Sequence, residues 1–166
     1  MSLSQLIDLT LDEALTQHLS EDLAQEKRIA IHDILEANVF ALADPRFKLV
    51  DGGKDLLYKL KLGMYEAKIV FDVTDDQDQP ITTYYLSLSP LKQVLNDYAQ
   101  ICEAYFDAVT KLPANQIEAI DMGRRGIHNE GAEQLTERLE GKIAIDKATA
   151  RRLFTLLYVM QQRKHQ

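Results

Sequence analysis

From Phe47 to Ser89 the apolar residues recur at every second position, and that period limits more than any other feature what the chain can fold into. Tyr58, Leu60 and Leu62 alternate with Lys59 and Lys61, while Tyr65, Ala67, Ile69, Phe71 and Val73 oppose Glu66, Lys68 and Asp72. A strand sends successive side chains to opposite faces, so these segments read as half-buried strands. Asp51-Gly52-Gly53 supplies a turn, and the acidic run DDQDQP forms a solvated connection into ITTYYLSLS. Short connections of this kind make an antiparallel meander of three or four strands, polar on one face. The apolar face must be covered. Near the start, Ile7, Leu9 and Leu11 alternate with Asp8 and Thr10 and predict one further strand over Gln5 to Leu11.

The cover comes from segments with a different period. Ser89-Pro90 reads as a helix start, with Ser89 as the cap and proline where its missing N–H costs nothing. Leu91, Val94, Leu95, Tyr98, Ile101, Cys102, Tyr105, Phe106 and Val109 then recur at three- and four-residue steps over five turns. Pro113 stops or restarts that helix. Asp146 is placed to cap a last helix whose Leu153, Phe154, Leu156, Leu157, Val159 and Met160 surround the axis, the pattern of a helix buried on most sides. An earlier helix begins at Ser20, with Glu21 and Asp22 suited to its dipole, and ends near Asn38. The expected fold is a two-layer α+β domain, an antiparallel meander covered by helices mainly from the C-terminal half. All 166 residues form one domain, a helix-plus-meander part over 1–89 and a helical part over 90–166. Leu95, Tyr98, Ile101, Cys102, Phe106, Leu153, Phe154 and Leu157 are expected in its core.

Charge and cysteine content exclude several function classes. A net charge of -7 argues against nucleic acid as a partner, because a phosphate backbone is held chiefly by Lys and Arg. The charge is uneven: residues 121–166 carry nine basic against six acidic groups, whereas residues 1–120 carry 10 against 20. A basic third of this kind favours a small anion or an acidic partner. The single cysteine, Cys102, rules out an internal disulfide framework and multi-cysteine zinc sites, and its place on an apolar stripe makes it a small core residue. No apolar run nears the ~20 residues that cross a bilayer, and MSLSQLIDLTLDEAL has neither a basic leader nor a long apolar core. A soluble, cytoplasmic protein with no membrane association and no cofactor is expected.

Chemistry concentrates in DMGRRGIHNEGAEQL, residues 121–135. On one continuous helix Ile117, Ile120, Ile127, Leu135 and Leu139 share a stripe with Asp121, Arg124 and His128, so three polar groups would face the interior and would have to pair or bind something. The alternative is a break. Glycines at 123, 126 and 131 each cost up to about 1 kcal/mol relative to alanine inside a helix, and Asn129 could cap a new helix whose N-terminus favours an anion. The glycine penalty makes the break the expected geometry. In either form Arg124, Arg125, His128, Asn129, Glu130, Asp121 and the later Arg151 are the candidate ligand-binding residues, with Arg152 able to converge on the same anion. Against this stands the plain alternative that Arg124 and Arg125 only pair with Glu118 or Asp121 one turn away, an interaction of small value at a surface. His128 and Glu130 match no metal-ligand spacing, and His18, His32 and His165 lie far off and solvated. Catalytic residues, if there are any, are not readable from the sequence.

The segments LIDLTLDEA, YYLSLSPLKQVLNDYAQICEAYFDAV, IEAIDMGRRGIHNEGAEQL and IDKATARRLFTLL, in that order, resemble a bacterial family, uncharacterised protein family 0262. The resemblance spans nearly the whole chain, and MGRRGIHNEG is its most specific string. It implies a single-domain cytoplasmic bacterial protein and assigns no role to any residue. The loop ALADPRFKLVDGGKD is longer than the family pattern, and YVMQQRKHQ lacks a tryptophan often found there. Three functions remain open: a binding or regulatory protein for a phosphate- or carboxylate-bearing ligand; an enzyme on an anionic substrate with His128, tuned by Glu130 or Asp121, as general acid or base; or a protein-interaction module of undetermined oligomeric state.

Overall fold

The computed structural model describes residues 4–47 and 56–162. The expected turn at Asp51-Gly52-Gly53, most of the long loop and His165 lie outside the described residues. Among the described residues, six strands and four α-helices follow one another as β1 (Gln5–Leu11), α1 (Glu21–Glu36), β2 (Phe40–Leu42), β3 (Leu57–Tyr65), β4 (Lys68–Asp75), β5 (Pro80–Ser87), α2 (Lys92–Lys111), α3 (Ala114–Arg138), β6 (Ile143–Ile145) and α4 (Lys147–Gln162).

The meander is present as β3, β4 and β5, paired antiparallel, and β1 joins it parallel to β3 to give a four-stranded sheet ordered β1-β3-β4-β5. A parallel neighbour needs a crossover, which α1 supplies. The period of two sets the buried face: Tyr58, Leu60 and Leu62, then Ile69, Phe71 and Val73, then Tyr84 and Leu86 are all buried. β1 departs from the expected alternation. Its buried residues are Leu6, Leu9 and Leu11, and Ile7 is turned outward. A register irregularity between Leu6 and Asp8 inserts one extra residue, which carries Ile7 to the open face. Asn38 stabilises the irregularity: its side-chain carbonyl accepts from Leu6 N–H at 2.7 Å, and its amide donates to the carbonyls of Leu6 (3.0 Å) and Ile34 (2.7 Å).

Three helix starts follow the sequence, and the one expected at Ser89 is displaced. Ser20 caps α1 by accepting from Leu23 N–H at 3.2 Å. Asp146 caps α4 by accepting from Thr149 N–H at 3.0 Å. Pro113 stands at the start of α3, its carbonyl taking the N–H groups of Gln116 and Ile117. Ser89, expected to cap α2, makes no such bond: Ser89, Pro90 and Leu91 form a single 3-10 turn, and the α-helix begins only at Lys92. Among the helices α4 is the most enclosed, with Leu153, Phe154, Leu156, Leu157, Tyr158, Val159 and Met160 all buried. It packs against both α1 and α3.

Two expectations are overturned. Phe106 is 55% exposed: it borders an open hollow between α2 and the end of α4, lined also by Cys102, Tyr158 and Gln162, and beyond Cys102 only Ala108 of that helix is buried. The second concerns the glycines, which do not break the chain. Residues 114–138 form one helix of 25 residues. Gly131 lies where a Cβ would fall inside the Phe154 ring, and a Cβ at Gly123 would come 3.0 Å from Ile101. Two of the three glycines therefore permit close helix packing, and continuity also buries Leu135 and Leu139 completely. Each such side chain contributes roughly 1.5–3 kcal/mol, which offsets the helix cost of the glycines. A break would in addition leave up to eight backbone groups without intrahelical partners.

Phe154→Ala should lower stability by about 3–5 kcal/mol in urea denaturation, whereas Phe106→Ala should stay within about 0.5 kcal/mol of the parent. The glycines should separate in the same assay: Gly131→Ala destabilises by about 1–3 kcal/mol through overlap with Phe154, and Gly126→Ala, whose Cβ meets nothing within 4 Å, stabilises by up to about 1 kcal/mol.

Candidate anion-binding site

On the continuous α3, Asp121, Arg124, Arg125 and His128 fall at i, i+3, i+4 and i+7 and so share one side of the helix. α4 brings Arg151, Arg152 and Thr155 opposite them, and Tyr98 of α2 closes the base. Together Tyr98, Arg124, Arg125, His128, Arg151, Arg152 and Thr155 line an open cleft of about 190 Å³. The convergence is a product of tertiary packing: one turn beyond His128, the missing Cβ of Gly131 admits Phe154 and lets α3 lie close against α4.

The arginines differ in how they are engaged. Asp121 bridges two of them, taking Arg124 Nε at 3.1 Å and Nη2 at 2.6 Å on one oxygen and Arg125 Nη2 at 3.1 Å on the other. The Arg124 hydrogen bonds hold the Asp121 carboxyl below the usual carboxylate range. Arg124 also lies over the Tyr105 ring, 4.3 Å from its centroid. Arg152 reaches Asp33 of α1 at 3.5 Å. Arg151 is different. Its Nε is buried without a hydrogen-bond partner, and no carboxylate pairs with its guanidinium among the described residues.

His128 is buried and almost completely specified. Its Nε2 lies 2.8 Å from Thr155 Oγ1, and that hydroxyl donates its one hydrogen to the Arg151 carbonyl at 3.3 Å. The other ring nitrogen, Nδ1, is buried without a partner. The ring packs edge-on to Tyr98 and Phe154 at centroid distances of 5.2 and 5.3 Å. Burial, and then the charges of Arg151, Arg152 and Arg124, push its pKa down to about 4. Glu26 of α1 faces the same region; burial raises its carboxyl, while Arg124 pulls it back.

Not every candidate residue reaches the cleft. Asn129 turns to a separate pocket with Ala132, Glu133, Thr136 and Lys147, and its Oδ1 is buried without a partner there. Glu130 is exposed and accepts from Gln134 at 3.3 Å, so neither it nor the arginine-bound Asp121 touches His128. The expected helix start at Asn129, with its free N–H groups, does not exist on a continuous α3. Cys102 is buried, and burial pushes its thiol up, which keeps it uncharged as a core residue would be. Thr155, Glu26 and Asp33 were not anticipated from the sequence, and Tyr98 and Tyr105 were expected only on the apolar stripe of α2. Only the i, i+4 spacing of Arg151 and Thr155 could have hinted at one of them. No helix among the described residues is long and apolar enough to cross a membrane.

The sequence profile described as "Uncharacterised protein family (UPF0262)" matches residues 3–163. A UPF0262 protein of Dinoroseobacter shibae is 48% identical over 158 residues, covering 95% of this chain and 98% of the relative. One from Jannaschia sp. is 52% identical over 139 residues, covering 84% and 85%, and one from Cereibacter sphaeroides is 46% identical over 158 residues, covering 95% and 98%. No solved structure matches the chain.

The state of His128 has a measurable consequence. In the unfolded chain its pKa returns to about 6.5, so as pH falls from 6.5 towards 4 the unfolded form takes up a proton that the folded form refuses. Stability attributable to this residue should be complete above pH 6.5 and should decline by on the order of 3 kcal/mol by pH 4. Denaturation between pH 7 and 4 should show that slope in the parent and a shallower one in His128→Gln. Equal slopes would disprove the assignment.

Proposed function

Since this chain belongs to the uncharacterised protein family UPF0262, whose name specifies no chemistry, we propose from the geometry that it is a cytoplasmic binding or regulatory protein whose ligand is a small anion held between α3 and α4. The observation that carries this reading is Arg151, a guanidinium with a buried, unsatisfied Nε in a cleft it shares with three other arginines. A buried donor without a partner costs about 1–3 kcal/mol, more when charged, and an anion in the cleft removes that cost. Charge-assisted hydrogen bonds to an oxyanion would also offset the mutual repulsion of the arginines. The ligand contacts come from Arg151, Arg124, Arg125 and Arg152. His128 shapes the floor, since its neutral ring has Nε2 engaged with Thr155 and not with an anion.

Catalysis is the second reading, and one observation favours it: at neutral pH His128 is uncharged and its Nδ1 has no hydrogen-bond partner, the charge state required of a general base and not of a general acid. Neither Glu130 nor Asp121 is placed to tune it. Turnover of a carboxylated or phosphorylated substrate by the parent, lost in His128→Gln while anion affinity is kept, would establish that role.

Thermal unfolding tests the binding reading. Sulfate at millimolar concentration should raise the melting temperature well above chloride at matched ionic strength, by the equivalent of about 2.7 kcal/mol at a hundredfold excess over Kd. Arg151→Gln should abolish the difference with the fold intact. The Arg124→Gln and Arg125→Gln pair should weaken it less, because Asp121 already occupies part of those two forks. Equal shifts in sulfate and chloride would return the arginines to surface ion pairing.

A further inference from the structure

The cleft holds more donors, on more sides, than a carboxylate can use. A carboxylate is planar with two oxygens, and one guanidinium fork satisfies it in bidentate fashion. Here guanidinium groups come from two helices, Arg124 and Arg125 of α3 and Arg151 and Arg152 of α4. Positive charge also exceeds negative. Among the described residues Asp121 and Asp33 are the carboxylates within ion-pair reach, and Glu26 acts on Arg124 only through space. Even with all three acids ionised, the four arginines leave a surplus.

Size is compatible with that choice. The cleft is open and holds about 190 Å³, enough for one tetrahedral oxyanion with a few waters. The more exposed arginine side chains, Arg125 at 59% and Arg152 at 44%, form the rim, and Arg124 at 28% lies deeper. The charged end of a ligand would enter and its body would remain outside.

We propose that the cleft recognises a terminal phosphoryl group, a tetrahedral dianion whose three free oxygens draw donors from both α3 and α4, with the carrier molecule projecting into solvent. This rests on the anion-binding reading above and adds to it the class of anion.

The experiment is calorimetric titration of the full chain at pH 7.5 with four probes: sulfate, ethyl phosphate, acetate and succinate. Succinate matches the charge of the tetrahedral ions without their shape. Sulfate and ethyl phosphate should bind at least about tenfold more tightly than either carboxylate, and Arg151→Lys, which keeps the charge and removes the fork, should weaken both tetrahedral ions by about tenfold. A pH series adds an independent arm. A phosphate monoester gains its second charge near pH 6, so ethyl phosphate should tighten about tenfold from pH 5 to 7, while sulfate, already a dianion, should not. The protein groups facing the site are Glu26 and Asp33 from α1, Tyr98 from α2, Asp121, Arg124, Arg125 and His128 from α3, and Arg151 and Arg152 from α4. Ionisation of Glu26 in that range would weaken any anion, the opposite sign, and His128, pushed down to about 4, stays neutral throughout. Carboxylates binding as tightly as ethyl phosphate, or sulfate tightening in parallel with it, would overturn the phosphoryl assignment and leave the anion site standing. No heat with any probe would overturn both.

Discussion

The contact between Gly131 and the Phe154 ring sets the distance between α3 and α4, and most of the cleft follows from it. A side chain at 131 would push the helices apart by the width of a methyl group. His128 would then lose Thr155, and the walls that carry Arg124 and Arg151 would separate. The aromatic cluster of Tyr98, His128, Phe154 and Tyr158, with neighbouring centroids 4.8 to 5.6 Å apart, fills the floor beneath. A close-packed interior resists small displacements, so the polar groups above it are positioned by apolar packing below.

The electrostatics of the site follow a division of labour between the helices. Asp121 neutralises its own neighbours on α3, and Asp33 reaches across from α1 to Arg152. Partly exposed pairs of this kind contribute little to stability, about 0–1 kcal/mol each. Their effect is on orientation: a guanidinium held on one edge presents its other edge in a fixed direction. Arg151 has no such tether among the described residues, and its Nε–H remains unused.

The repetitive features of the fold were legible in the sequence. The alternation of Tyr58 to Val73 gave the sheet, Ser20 and Asp146 gave two helix starts, and the crowded stripe from Leu153 to Met160 gave the most buried helix. The misses share a cause, since each depended on a partner distant along the chain. Intrinsic propensity argues for a break at the glycines; what overrides it at 131 is a phenylalanine 23 positions later, which periodicity in one segment does not reveal. Phe106 satisfies the helical stripe as well as Tyr98 does, yet it borders an open hollow where Tyr98 meets His128 and Phe154. Ile7 was displaced by a single inserted residue. At the site the arginines were visible as a charge concentration, but the separation of Asn129 and Glu130 from them is a matter of which side of an unbroken helix each occupies.

Asn38 has a role beyond the local geometry of β1. That strand is the outer member of its sheet, the position at which an unpaired backbone can template pairing with a strand from another molecule. By taking both the N–H and the C=O of Leu6, the Asn38 side chain occupies the hydrogen-bonding groups that an incoming strand would need first. It imitates a neighbouring strand at Leu6, and the backbone that follows it adds one bond more, from Phe40 N–H to the Ser4 carbonyl at 3.1 Å. The inserted residue beside it distorts the register in which further pairing would propagate. A residue that fastens α1 to the sheet thereby also takes up two of the backbone groups on this border.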